Sequence, residues 1–137
     1  MTLKNKSDSS IKLAYRFEKE GELNLAANRF YYSVLQKTLS YAEENGYNYS
    51  QLTKEEKKES HNSLIGYINK LISEERKRNP HNKKLNDLNS FQFDFNSIKK
   101  VRIKADYKNE DVTSDDIDHL KNKLDDFNDK YSLLKQM

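Results

Sequence analysis

The stretch that decides the fold is LNLAANRFYYSVLQKTLSYA, residues 23–42. At about 100° per residue, its apolar and aromatic side chains (Leu23, Leu25, Ala26, Ala27, Phe30, Tyr31, Tyr32, Val34, Leu35, Leu39, Ala42) occupy most of a helix circumference. A helix that is apolar nearly all round has protein on every side, so this one predicts the centre of a helical bundle. What remains is one narrow polar stripe, Arg29, Ser33, Gln36 and Ser40. The stripe reads either as the solvent side or as a wall of a polar groove. The helix should run from about Glu22 to Asn45 and stop at Gly46, because glycine tolerates the positive φ of a C-terminal cap.

Four more helices are legible outward from this one. Residues 1–7 lack periodicity, so a disordered start over 1–8 is expected, with Ser9 or Ser10 capping a first helix that carries Ile11, Leu13, Ala14, Tyr15 and Phe17 and stops near Gly21. Thr53 and Glu56 have capping-box spacing and open a third helix reaching about Lys77, with Leu64, Ile68, Leu71 and Ile72 on one side. Pro80 marks a loop, and a fourth helix is expected over about Asn82–Tyr107. Thr113 and Asp116 form another capping box. Behind it, apolar residues recur at 117, 120, 124, 127, 131 and 134, an unbroken helical spacing. Short connections favour antiparallel neighbours. The expected fold is therefore all-α, an antiparallel up-down bundle of four to five helices forming one domain over 9–135.

Composition narrows the function classes. Three Gly and one Pro in 137 residues are too few for a turn-rich β protein. With no Cys there is neither a disulfide scaffold nor a thiolate metal site. No His has a second ligand at i+4, so no metal and no cofactor is expected. No apolar run approaches the roughly 20 residues of a membrane span, and the start of the chain lacks the apolar core of a secretory signal. A cytoplasmic protein without a membrane partner is the expectation. Basic residues outnumber acidic ones 14 to 8 over 54–108, while acidic outnumber basic 8 to 4 over 109–137. The basic middle suits a polyanion such as RNA, since each phosphate neutralised releases counterions; a merely solvated lysine-rich surface is the plainer reading.

Three stretches together resemble the HEPN superfamily of helical toxin–antitoxin, abortive-infection and CRISPR-associated proteins. They are Ala26-Ala27-Asn28-Arg29-Phe30-Tyr31-Tyr32-Ser33, Ser60-His61-Asn62-Ser63-Leu64-Ile65, and Arg102-Ile103-Lys104-Ala105-Asp106-Tyr107. The last is similar to the Arg-x-x-Ala-Asp-Tyr signature of small HEPN proteins often encoded beside a minimal nucleotidyltransferase, and the likeness spans about residues 9–135. The resemblance implies a homodimer, an RNA-directed effector role in toxin–antitoxin or phage-defence systems, and in many members metal-independent endoribonuclease activity. It also implies that Tyr107 could be the target of a partner nucleotidyltransferase. In active members an Arg is followed four to six residues later by a His; here the residue five after Arg102 is Tyr107. A phenol with a reference pKa near 10 is a poor general base at neutral pH, so this departure counts against conventional cleavage.

The candidate catalytic residues are Arg102, Asp106 and Tyr107, and the candidate RNA contacts are Arg29, His61, Lys99, Lys100 and Lys104. His81 and His119 read as solvated. On the fourth helix Arg102 lies within the stripe Phe91, Phe95, Ile98 and Ala105, with Asp106 one turn further on. An unpaired charge there would be costly. The pair is therefore either a brace inside the bundle or at a dimer seam, or a pocket in which Asp106 orients Arg102 toward phosphate. Two functions stand side by side: an RNA-directed HEPN-type effector, and a non-catalytic module that binds a nucleotidyltransferase or another protein.

Overall fold

A computed structural model describes residues 2–48, 54, 60–107 and 111–137, and among them there is no strand. Five long helices form the bundle: α1 (Leu3–Lys19), α2 (Leu23–Glu44), α3 (Ser60–Arg78), α4 (Phe91–Tyr107) and α5 (Ser114–Lys135). The chain is an all-α helical bundle.

As the residue pattern of 23–42 requires, α2 touches all four other helices. Ala26, Ala27, Phe30, Tyr31, Val34, Tyr41 and Ala42 are buried along it. It ends where glycine allows a positive φ: Gly46 sits at φ +100°, and the Tyr47 N–H closes back on the Ala42 carbonyl at 2.9 Å. Contacts between helices give their directions. Lys104 meets Asp116, Phe91 meets Phe127 and Asp94 meets Lys130, so α4 and α5 run antiparallel. Lys37 meets Asn128 and Tyr41 meets Leu134, so α2 and α5 run parallel, where strict up-down alternation of five helices would set them antiparallel.

Three expectations need correction. First, α1 begins at Leu3, not after Ser9 or Ser10, because Thr2 Oγ1 accepts the Asn5 N–H at 3.1 Å and caps it. The stretch 1–8, expected to be disordered, thus holds most of two helical turns from Leu3 onward. Second, the polar stripe of α2 is divided: Arg29 is exposed and Ser40 lines a small recess beside α1, while Ser33 and Gln36 are covered. Ser7 Oγ donates to the Ser33 carbonyl at 2.8 Å and Ser10 Oγ to Gln36 Oε1 at 2.9 Å, so serines of α1 satisfy the middle of the stripe inside the α1–α2 contact. Third, the helix expected from Asn82 is broken. A one-turn helix (Lys84–Asp87) and a 3₁₀ turn (Leu88–Ser90) precede α4, with Leu85 and Leu88 both buried. Arg76, reaching from α3, donates to the Leu85 carbonyl at 3.1 Å and to Asn89, which fixes the bend.

The remaining elements follow their patterns. In α3 the residues Leu64, Ile68 and Ile72 are buried, joined by Ile65; the Thr53–Glu56 box lies outside the described residues. The α5 capping box is complete: Thr113 Oγ1 accepts the Asp116 N–H at 3.1 Å and Asp116 Oδ2 accepts the Thr113 N–H at 2.9 Å. Ile117, Leu120, Leu124, Phe127 and Leu134 are buried behind it, and Tyr131 half-buried.

Candidate functional site

Arg102 reaches α2 from the middle of α4. Its Nε lies 2.9 Å from Asp106 Oδ2, one helical turn away, and its side chain is only 13% exposed. The guanidinium carbon stands 5.2 Å from the Tyr31 ring centroid and 5.7 Å from that of Tyr32. Asn28 Nδ2 donates to Asp106 Oδ2 at 3.3 Å. A cation held over two rings and beside a carboxylate gains from both, since the ring faces are electron-rich and water is largely excluded. Burial pushes the Tyr31 phenol above its ordinary range, against the opposing pull of the Arg102 charge. That phenol stays protonated at neutral pH. The cluster Asn28–Tyr31–Tyr32–Arg102–Asp106 thus ties α4 to α2 through an ion pair, two ring contacts and the Asn28 hydrogen bond.

The other sequence-singled residues are not gathered there. Lys104 Nζ lies 2.8 Å from Asp116 Oδ2, so it clasps the start of α5. The Lys104 hydrogen bond, followed by that from the Thr113 backbone, holds the Asp116 carboxyl below the usual carboxylate range. Arg29 is exposed on α2 and does not line the depression that Lys99 and Lys100 share. The side chains of His61 and Tyr107 lie outside the described ones; the backbone of Tyr107 closes α4. His81 and His119 are exposed.

Lys99 and Lys100 line an open depression of about 530 Å³ along the outward side of α4, together with Gln92, Phe93, Asn96 and Ile103. No carboxylate lines it among the described residues. Phe93 was not singled out by the sequence reading, although its position holds the signal: it falls about 200° from both Phe91 and Phe95 and must face away from the core. Asp94 was also missed. It is 2% exposed, bonded to Lys130 and 4.0 Å from Lys123. Its place between Phe91, Phe95 and Ile98 on the apolar stripe is the sequence signal of a buried carboxylate that needs cationic partners. Among the described residues no group of three or more His, Cys, Asp or Glu could hold a metal, and no helix is long and apolar enough to cross a membrane.

Comparison of the chain with protein-family models, with curated proteins and with solved structures finds no match.

Proposed function

We propose that this chain is an RNA-directed effector of the HEPN kind, serving a toxin–antitoxin or phage-defence system, that holds RNA rather than cutting it through Arg102. One observation carries the reading: the α4 depression presents Lys99 and Lys100 with no acidic side chain among its described lining residues. The engagement of Arg102 with Asp106, Tyr31 and Tyr32 supports binding over cleavage, because a guanidinium committed to a brace is not held ready for a phosphorane. Within this proposal the RNA backbone rests on Lys99 and Lys100, and Lys104 contributes architecture. A cytoplasmic location fits the proposal.

Filter binding of single-stranded RNA tests it. Retention is expected at about 50 mM salt and should weaken steeply by about 200 mM, since it rests on counterion release. Cleavage of that RNA, abolished in Arg102→Ala, would overturn the binding-only mechanism. Absence of retention at either salt would overturn RNA as the ligand. It would favour the second reading, a non-catalytic module whose exposed Asp115, Asp118, Asp125 and Asp129 on α5 meet a basic protein such as a nucleotidyltransferase. The proposal also includes a homodimer. The Arg102–Asp106 pair finds its contacts within one chain, so the support for a dimer is the family resemblance, and light scattering at twice the 16.2 kDa chain mass is its test.

A further inference from the structure

Phe93 is the most exposed large apolar side chain among the described residues, at 61% against 48% for Leu25 and 47% for Tyr15. Leaving a ring in water forgoes about 1.5–3 kcal/mol of burial, and nothing in the bundle requires it there, since Phe91 and Phe95 fill the core on either side. Among the described residues the only group set over its ring is the Lys123 ammonium, 4.8 Å from the centroid. Both neighbouring lysines of α4 make no ion pair with any described residue, whereas Lys104, Lys121, Lys123 and Lys130 each do. Beside the ring, Gln92 Oε1 accepts from Asn69 Nδ2 at 3.1 Å. The depression therefore combines an exposed aromatic ring, two cations that form no ion pair with a described residue, and a hydrogen-bonded amide.

We propose that this surface is a stacking site for single-stranded nucleic acid, with an unpaired base on the Phe93 ring and the following phosphates on Lys99 and Lys100. The inference rests on the RNA-directed reading above and adds to it the form of the ligand and the residue that recognises it. A duplex has no free base face to offer a lone ring, whereas a single strand does, and each stacked base is worth a large share of affinity without sequence preference. Lys99 and Lys100 follow Phe93 by six and seven residues, about 9 and 10.5 Å along the helix axis. That is roughly three rises of a stacked strand, so the footprint is about three to four nucleotides. An acidic polypeptide would satisfy the lysines but would leave the ring without a flat partner.

The chain has no Trp, so Phe93→Trp places a sole indole at the site. Titrating this variant with oligoadenylate should quench its emission saturably. The same sequence as a perfect RNA duplex, and polyglutamate, should leave the emission unchanged. In the otherwise native chain, Phe93→Ala should weaken oligoadenylate binding by about five- to 150-fold, and Phe93→Tyr should restore most of it. A thermal melt matching that of the native protein shows that the variants fold, as expected for an exposed position. Quenching by polyglutamate or by the duplex equal to that by oligoadenylate would overturn the site. Binding of RNA by the native chain with no quenching in Phe93→Trp and no loss in Phe93→Ala would overturn stacking alone and leave the RNA-directed reading in place. Failure of the native chain to bind RNA would overturn both.

Discussion

Replacing Arg102 with Ala removes the guanidinium from the Asp106 carboxylate at 2.9 Å and from the rings of Tyr31 and Tyr32. With the side chain 13% exposed, each ring contact falls toward the desolvated end of its range, about 1–2 kcal/mol. The i,i+4 ion pair adds about 0.5 kcal/mol. These terms share one cation and do not add in full, so a loss of about 2–4 kcal/mol is expected. For a chain of 137 residues that corresponds to roughly 4 °C of melting temperature per kcal/mol, hence a drop of about 8–16 °C. Arg102→Lys keeps the charge but not the planar fork and should lose about half as much. Asp106→Asn can still accept from Asn28 and should lose less than about 1 kcal/mol. Calorimetry or a urea series reads all three. An Arg102→Ala protein that melts within about 2 °C of the native chain while losing RNA retention would refute the brace and make Arg102 a ligand-binding group.

Gly46→Ala should destabilise by about 1–2 kcal/mol, since φ is +100° and an added Cβ would stand 3.2 Å from the Tyr67 hydroxyl; an unchanged urea midpoint would contradict that geometry. Asp94→Ala should cost about 3 kcal/mol, because it leaves the half-buried Lys130 without its carboxylate and Lys123 with the exposed Asp126 alone; a loss below about 1 kcal/mol would show that Lys130 reaches water freely. The Asp116 carboxyl is held below its ordinary pKa by Lys104 and Thr113, so its stabilisation is present above the unfolded value of about 3.9 and lost as pH falls through the lower folded value. Melting temperatures of native protein and Asp116→Asn should therefore differ at pH 7 and converge near pH 2. A constant difference across that range would show that the charge contributes nothing.

Local pattern determined much of this protein. The capping box at Thr113 and the spacing from Ile117 to Leu134 specify α5 without reference to any other helix. The all-round apolar character of 23–42 places α2 at the centre, because burial on every side leaves no alternative. The pairing of Arg102 with Asp106 was also legible, since an i,i+4 relation is fixed by helix geometry alone. What only the tertiary structure decided is which polar group on one helix meets which on another. Ser33 and Gln36 read in sequence as a solvent side or a groove wall and are satisfied by Ser7 and Ser10, the first from a stretch expected to be disordered and the second expected only as a helix cap. Lys104 resembles its neighbours Lys99 and Lys100 in sequence, yet Asp116 takes it into the architecture and leaves the other two facing outward beside Phe93. Hydrophobic periodicity reports the environment of one helix face. The partner of a serine or a lysine is set by the rotation and register of two packed helices, which no local window of residues contains.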